Sequence, residues 1–243
     1  FMQDRVGPNR VGPKGVLQPI ADGIKFLMKE DLVPERVDKP IFILAPAILL
    51  IPALMTFAVI PFGSSINLFG REIALQVADV NVGILYVLAL TSISVYGIVL
   101  AGWSSNNKYS LLGGLRSSAQ LISYELAMGL AVVSIILLAG SLRLNDIITD
   151  QQGSFFSWNI FRQPLAFLIF LIAVYAETNR LPFDLSEAEQ ELVGGYHTEY
   201  SSMKFAMFFM AEYANMITAA ALTVTLFFGG WDVPLLDEGS LGL

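Results

Sequence analysis

The chain has 243 residues, of which 55% are hydrophobic and 14% charged. A soluble domain carries about 25% charged residues. The composition therefore favours a protein that crosses a membrane several times. The net charge of −7 argues against nucleic acid as a partner. The absence of cysteine excludes disulfides and thiolate-bound iron–sulfur clusters, and a single histidine excludes a multi-histidine metal site made by this chain alone.

The first polar segment, residues 1–40, opens with a turn-rich loop. In RVGPNRVGPKG two Gly-Pro pairs flank an Asn-Arg pair, which makes the backbone stiff. Such a loop suits docking of a soluble partner through Arg5, Asn9 and Arg10. A simple turn at the entry to the membrane is the alternative, and the spacing leaves both open.

Residues 16–31 are too polar to span a bilayer and predict an amphipathic helix in the membrane interface. Its apolar residues recur at helical spacing, and they are Val16, Leu17, Ile20, Ile24, Leu27 and Met28. Asp22, Lys25 and Lys29 fall away from that stripe. A peripheral anchor with no further role is the alternative.

Five apolar runs qualify by their length as membrane-crossing helices, which need about 20 mostly apolar residues. They lie at roughly 41–62, 81–103, 118–140, 159–177 and 203–229. Eleven of the 14 lysines and arginines fall in the segments 1–40, 104–117 and 178–204, which places these segments on the cytoplasmic side. We therefore predict an all-α polytopic fold, a single membrane domain over 1–243 with five transmembrane helices and an interfacial amphipathic helix.

The segment AETNRLPFDLSEAEQELVGGYHTEY, residues 176–200, gathers acidic residues between the last two spans. They are Glu177, Asp184, Glu187, Glu189, Glu191 and Glu199. Clustered carboxylates in a partly dry site repel one another, which favours proton uptake near neutral pH. Glu177 and Arg180 are spaced to pair on one helical turn, and the Leu-Pro pair at 181–182 predicts the end of that helix. The alternative is a solvated acidic loop, in which we expect His197 to be an ordinary hydrogen-bonded residue.

Two more glutamates, Glu125 and Glu212, lie inside the apolar runs. Glu125 is about two turns into its span, and Glu212 is roughly 13–14 Å into the last one. Carboxylates at membrane depth are costly and mark ion or proton paths, although a glutamate that only hydrogen-bonds neighbouring helices is the alternative. Together with the acidic segment they predict a continuous proton route.

Several stretches together resemble a known family. They are RVGPNRVGPKG with LQPIADGIKFLMKED, then SYELAMG, then AETNRLPFDLSEAEQELVGGYHTEYSSMKFAMFFMAEY. In this order they are similar to the quinone-site membrane subunit of respiratory complex I, that is subunit 1 of NADH–quinone oxidoreductases, called the H subunit in bacteria. The resemblance is collinear and covers essentially the whole chain.

The resemblance implies eight transmembrane helices in a complete member, so we expect this chain to lack the first helix and the last two. It implies a subunit that forms the membrane part of a quinone tunnel and the start of an acidic proton channel. This chain would bind no cofactor itself. Quinone would be the substrate, and partner subunits would hold FMN and iron–sulfur clusters. The implied partners are the other membrane and soluble-arm subunits and the lipid bilayer, in a bacterial inner membrane or an organellar energy-converting membrane.

The resemblance also assigns roles to individual residues. The proton path would use Glu125, Glu177, Glu187, Glu189, Glu191, Glu199 and Glu212. The quinone tunnel would use Asp22, Lys25, Arg180 and Asp184. Some family members carry an intramembrane acid on the helix at 81–103, for which Asp79, at the edge of the span, is the nearest candidate here.

Two other hypotheses stay open. One is the matching subunit of a membrane-bound hydrogenase, a ferredoxin:plastoquinone complex or a deazaflavin-dependent complex. The other is a stand-alone proton-coupled transporter, against which the lack of inverted repeats argues. The string PFDLSEAEQELVGGYHTEY and the N-terminal loop favour the quinone enzymes.

Overall fold

A computed structural model of the chain describes residues 7–63, 65–68, 71–180, 182–184 and 189–231. The helices within them are α1 (Gln18–Met28), α2 (Lys39–Met55), α3 (Gly83–Ser104), α4 (Lys108–Ala139), α5 (Leu144–Gln151), α6 (Asn159–Arg162), α7 (Pro164–Glu177), α8 (Glu189–Leu192) and α9 (Ser202–Phe227). Strands β1 (Ser65–Leu68) and β2 (Arg71–Ala74) pair as one antiparallel hairpin, with Ser65 opposite Ala74. The predicted all-α class is confirmed.

Four helical segments of the described chain are long and apolar enough to cross a membrane. They are Lys39–Ala58, Gly83–Ser104, Lys108–Ala139 and Ser202–Phe227. α7 is apolar but has only 14 residues, about 21 Å at 1.5 Å per residue, which is shorter than a bilayer core of about 30 Å. The described part of the chain therefore has four helices long enough to span a bilayer and one shorter apolar helix, which is the architecture of a polytopic membrane protein.

The predicted fourth span, 159–177, is not one helix. It breaks at Gln163, whose backbone leaves the helical region at φ −138° and ψ 61°. Pro164 follows, and a proline both lacks the N–H that a continuous helix needs and pushes the preceding residue out of the α region. The break separates the single turn α6 from α7.

α4 begins ten residues before the predicted 118, at Lys108, where the Asn107 side chain accepts a hydrogen bond from the Tyr109 N–H. Its 32 residues extend about 48 Å, more than a bilayer core of about 30 Å. The early part is small and polar because it packs against protein, since a Cβ on Gly113 would meet the Gly195 Cα at 2.6 Å. Glu125 therefore lies near the middle of α4 rather than two turns from its start.

Five helices pack in the order α9, α2, α3, α4 and α7, and α7 returns to meet α9 along a looser seam. The α2–α3 contact is close because Gly97 has no side chain, and a Cβ there would meet the Leu49 N at 2.9 Å. One buried apolar cluster, with Phe42 and Phe208, lies towards the start of α9, and a second, with Phe170 and Phe227, lies towards its end. The middle of the bundle lies between these two clusters.

The amphipathic helix predicted at 16–31 forms as the shorter α1, and its apolar face is exposed, with Ile20 60% and Met28 83% accessible. Its C-terminal end is attached to the start of α9. The Ser202 hydroxyl donates to the Phe26 carbonyl (2.9 Å) and the Lys29 carbonyl (2.8 Å). α1 therefore lies against the bundle with an apolar face free for the membrane interface.

Candidate functional site

A cavity in the middle of the bundle brings together carboxylates from three helices. Glu125 of α4, Glu177 of α7 and Glu212 of α9 all line it, together with Thr91 of α3 and Asn215 of α9. We call this space the acidic cavity. It leaves about 30 Å³ for water, and about 10–15 Å³ is enough for one molecule. Three of the predicted proton-path residues are thus neighbours in space although they are far apart in sequence.

Glu177 reaches the cavity because α7 ends there in a defined turn. Asn179 takes a left-handed conformation at φ 48°, its N–H donates to the Ala176 carbonyl (3.4 Å), and the Arg180 N–H donates to the Tyr175 carbonyl (3.3 Å). This is a Schellman motif, in which a left-handed residue lets the last carbonyls find donors. The prediction that the Leu-Pro pair at 181–182 ends the helix is wrong by a few residues, because Asn179 ends it first.

Gln120 of α4 fixes the chain that follows α7. Its amide nitrogen lies 2.9 Å from the Ala176 carbonyl and 2.8 Å from the Phe183 carbonyl. The ring of Tyr124, one turn further along α4, packs edge-on against Phe183 at 5.3 Å between centroids. α4 therefore holds both the end of α7 and the start of the acidic segment.

Arg180 pairs with Glu212 of α9, not with Glu177 as its spacing predicted. The Nη2 of Arg180 lies 3.1 Å from the Glu212 Oε1, and the guanidinium lies over the Tyr213 ring. The left-handed turn after α7 takes Arg180 off the helical path, so it lies against α9 instead of Glu177. The Glu212 side chain is 17% exposed and that of Arg180 40% exposed, so the pair reaches the protein surface through Arg180.

Glu125 is held by α3. The Ser92 hydroxyl donates to the Glu125 Oε1. α3 contributes hydroxyl groups to the acidic cavity, because Thr91 and Ser94 also line it. Asp79, the nearest candidate for an acid on the helix at 81–103, lies away from the cavity, near the start of α5. There the hydrogen bond from Arg143 holds the pKa of Asp79 below its ordinary value.

Two other predicted proton-path residues, Glu191 and Glu199, do not line the acidic cavity. Glu191 pairs with Arg116 at 2.6 Å, and Glu199 accepts a hydrogen bond from the Asn107 Nδ2 at 2.5 Å. Glu189 is the first residue of α8, and Glu187 lies outside the described residues. The loop 178–202 is thus partly built of short turns, in which Glu191 and Glu199 have partners of their own.

The other predicted tunnel and docking residues that the structure describes lie at the surface or near it. Asp22 and Lys25 pair with each other at 3.3 Å on the polar side of α1, and both are largely exposed. Asp184 is half-buried, and Asn9 and Arg10 are exposed. None of these five side chains lines the acidic cavity. The remaining docking residue, an arginine at position 5, lies outside the described residues.

Sequence reasoning missed Asn215. It follows Glu212 by three residues on α9, so both lie on one face of the helix, and both line the acidic cavity. The sequence does carry a signal, because an amide one turn from an intramembrane glutamate is unusual in an apolar run. Gln120 stands out in the sequence only as one of several polar residues at the end of its span, because its contacts depend on distant residues.

His197 and Tyr200 belong to a group of packed aromatic side chains beside the start of α9. The His197 ring packs edge-on against Phe205 and Phe209, and its burial lowers the pKa to about 4, so the ring is neutral. Its Nδ1 is buried with no hydrogen-bond partner among the described residues, unlike the bonded loop histidine expected. Tyr200 stacks on Phe42, and burial raises its pKa to about 12.

Fold and site together define a class: a polytopic all-α membrane protein in which carboxylates of several helices meet within the bundle. The model of the NADH dehydrogenase family matches residues 1–242, and the chain belongs to this family. The H subunit 1 of NADH-quinone oxidoreductase from Geobacter metallireducens is 60% identical over 236 residues, which cover 97% of this chain and 71% of that protein.

Other relatives agree. The H subunit 2 of NADH-quinone oxidoreductase from Geobacter sulfurreducens is also 60% identical, over 97% of this chain and 71% of its own length. The H subunit 1 from Cytophaga hutchinsonii is 51% identical over all of this chain and 70% of its own length. The resemblance inferred from the sequence is confirmed at the level of the family.

Proposed function

We propose that this chain is the membrane subunit of a proton-pumping NADH–quinone oxidoreductase that corresponds to the H subunit of its relatives. It would form the membrane part of the quinone tunnel and the start of the acidic proton path. The observation that carries the proposal is the meeting of Glu125, Glu177 and Glu212, from three helices, in one cavity within the bundle. Membrane-buried carboxylates are costly and are typical of proton relays.

The chain would act without a redox centre of its own. It has no cysteine to bind an iron–sulfur cluster, so the FMN and the clusters would belong to partner subunits, and the quinone would be the substrate. It would act as one membrane domain of a multi-subunit complex in a bacterial inner membrane. The exposed apolar face of α1 suits the lipid interface.

Reduction of a quinone to a quinol takes up two electrons and two protons, and it passes through states with added negative charge. Arg180 is the cation placed to respond, because its guanidinium is partly exposed and pairs with Glu212. An anion near Arg180 would compete with Glu212 for the guanidinium. Glu212 would then bind a proton, and the change would pass to Glu177 and Glu125 across the acidic cavity.

The remaining predicted residues fit around this path. Asp22 and Lys25, on the polar face of α1, and Asp184, beside the Arg180 turn, would contact the quinone on its way in. The N-terminal loop, in which Asn9 and Arg10 are exposed, would dock the soluble arm. The acids of the loop 178–202 would collect protons for the cavity.

The relay is tested with Glu212→Gln and Glu125→Gln in the assembled complex, reconstituted in liposomes. Glutamine keeps the shape but cannot carry a proton, so we expect the ratio of protons translocated to quinone reduced to fall. A variant of a surface acid at the other end of the bundle, Asp146→Asn, should leave the ratio unchanged. A normal ratio in both glutamate variants contradicts the relay.

Quinone use is tested separately in the purified complex. We expect oxidation of NADH to depend on added quinone and to be blocked by a hydrophobic inhibitor that competes with quinone. Reduction of protons to hydrogen without any quinone requirement would favour the hydrogenase hypothesis instead. Solute transport by the purified chain alone in liposomes would favour the transporter.

A further inference from the structure

Asn215 of α9 lies where two cavities meet. It lines the acidic cavity, and it also lines a second space deeper in the bundle, which we call the inner cavity. Glu177 and Thr91 are the other polar residues common to both. Asn215 is thus one turn from Glu212 on α9 and shares both cavities with Glu177.

The side-chain oxygen of Asn215 needs a hydrogen-bond donor that the described residues do not supply. Its Oδ1 is buried and accepts no hydrogen bond from them. The neighbouring hydroxyls are already engaged: Thr91 donates to the Leu88 carbonyl (2.9 Å), and Thr218 pairs with Thr56 (2.9 Å). A buried acceptor without a donor is costly and indicates a partner of another kind.

Water fits this position. The acidic cavity leaves about 30 Å³ and the inner cavity about 20 Å³ for water, and about 10–15 Å³ holds one molecule if polar partners are at hand. Apart from Asn215, Glu177, Thr91 and Thr218, the inner cavity is lined by apolar side chains, among them Val87, Met128 and Leu222. A water in the inner cavity therefore has Glu177 as its carboxylate neighbour.

We propose that Asn215 is a positioning residue that orients a water molecule between Glu212 and Glu177, and so completes the proton connection between α9 and α7. The inference rests on the proposed function, since it assumes that both glutamates carry protons. The water would donate one hydrogen bond to the Asn215 Oδ1. Its second hydrogen would face the Glu177 carboxylate, and its lone pair would face the protonated Glu212.

The transfer is balanced. The O–H bond of Glu212 breaks and its proton binds the water, while another O–H bond of that water breaks and its proton binds Glu177. The water is regenerated, and the negative charge moves from Glu177 to Glu212. Asn215 exchanges no proton, because its role is to hold the water in the orientation that connects Glu212 and Glu177.

The test compares three variants of Asn215 in the full complex, reconstituted in liposomes. Asn215→Leu replaces the amide with an apolar group of similar size, Asn215→Ala leaves room for water but no acceptor, and Asn215→Ser restores an acceptor oxygen. We expect the Leu and Ala variants to lower coupled quinone reduction about tenfold, which corresponds to roughly 1.4 kcal/mol of barrier, and to raise the solvent deuterium isotope effect. The Ser variant should recover most of the rate.

Thr223→Val is the matched control. Thr223 lies on the same helix, its hydroxyl donates to the Ala219 carbonyl (2.7 Å), and it lines neither cavity. We expect it to leave the rate and the isotope effect unchanged. NADH oxidation by an artificial acceptor that draws electrons from the soluble arm should be equal in all variants, which shows that they assemble.

The outcomes separate this inference from the proposed function. If Glu212→Gln loses proton translocation while both Asn215→Leu and Asn215→Ala keep the normal rate and isotope effect, the role of Asn215 is refuted and the relay stands. If Glu212→Gln and Glu125→Gln both pump normally, the relay itself fails. If Asn215→Leu does not assemble, Asn215→Ala decides, and a normal isotope effect in it refutes the inference.

Discussion

The middle of the bundle and the end of the bundle around α5 treat acidic residues in opposite ways. Around α5, which we call the far end, Arg143 lies against both Asp79 and Asp146, and Arg162 pairs with Asp150 at 2.6 Å. In the acidic cavity three glutamates face one another, and the ion pair found among them in the described chain is that of Glu212 with Arg180. The far-end acids are thus paired with arginines near the surface, whereas the cavity acids lie within the bundle, where only Glu212 has a cation as partner among the described residues.

Two buried amides show the same contrast. Gln151, at the far end, is saturated: its nitrogen donates to the Ile147 and Thr225 carbonyls, and its oxygen accepts from the N–H groups of Asn159 and Gly229. Asn215, in the cavity, has a buried oxygen with no donor among the described residues. A fully bonded amide such as Gln151 fixes local structure, while an unsatisfied buried oxygen such as that of Asn215 is rare and needs an explanation.

The largest difference between the acidic cavity and the far end should appear in proton translocation. Glu177→Gln removes a proton-binding group that lines both cavities, and we expect coupled pumping to fall by about 10²-fold or more, the usual scale for loss of a proton-transfer group. Asp150→Asn at the far end removes a charge that is already paired with Arg162. It should leave pumping intact, as measured by acidification in proteoliposomes.

Equal losses of pumping in Glu177→Gln and Asp150→Asn would break the comparison, because they would mean that general damage to the bundle, not the cavity position, lowers the rate. Glu177→Asp is the conservative variant. It keeps the carboxyl on a shorter side chain, so partial recovery of pumping is expected.

Much of this fold follows from local pattern. The apolar runs predict the bounds of α3 and α9 to within two residues. The prediction works because a helix makes all its backbone hydrogen bonds within one segment, as a chain in lipid must. The start of α4 could not be found this way. Its small polar residues are favoured by contact with the turn Gly195–His197. A hydropathy pattern cannot predict such a contact between distant parts of the chain.

The candidate site divides in the same way. The identities of Glu125, Glu177 and Glu212 were predictable because an acid in or beside an apolar run stands out. Their convergence on one cavity was not, since it depends on packing between helices distant in sequence. The partner of Arg180 was mispredicted for a local reason, because the left-handed Asn179 redirects the chain.

The next largest effect concerns stability. Gln151→Leu leaves the Thr225 carbonyl and the N–H groups of Asn159 and Gly229 without their partner, at about 1–3 kcal/mol for each buried group. We expect less assembled complex and a lower denaturation temperature, with normal quinone reduction per assembled complex. The exposed neighbour Gln152 supplies the control, Gln152→Leu. A Gln151 variant of full stability but poor pumping would place function at the far end as well.

A smaller, pH-dependent effect is expected at His197, which follows Tyr196, a residue that lines the acidic cavity. Its folded pKa of about 4 lies below the ordinary value of 6.5, so the unfolded chain binds a proton that the folded one does not between these values. Stability is therefore complete above pH 6.5 and falls as the pH drops towards 4, by about 2 kcal/mol at pH 5.

His197→Phe, which fills the same aromatic surroundings without a titrating group, should lack this part of the pH dependence. The measurement is the difference in denaturation temperature between pH 7.5 and pH 5, compared for the complexes with and without the substitution. Identical differences would show that His197 titrates alike in the folded and unfolded chains, and so that its ring is solvated in the assembled complex.

The smallest effect should come from the far-end pair of Asp79 and Arg143. Both side chains are about one-third exposed or more, and exposed pairs contribute little and are screened by salt. Asp79→Asn should lower the denaturation temperature slightly at low ionic strength, and the difference should vanish at about 1 M salt, where the screening length is about 3 Å.

The sign of the pH dependence provides a second check on this pair. The hydrogen bond from Arg143 depresses the pKa of Asp79, so the pair stabilises the fold above the ordinary carboxyl pKa of about 4 and loses this contribution in more acid solution. The variant and the natural chain should therefore differ near neutral pH and converge in acid. A large fall in denaturation temperature that salt does not reduce would contradict the view that the ion pairs at the far end contribute little. Asp79 would then belong to a buried network comparable to that of the acidic cavity.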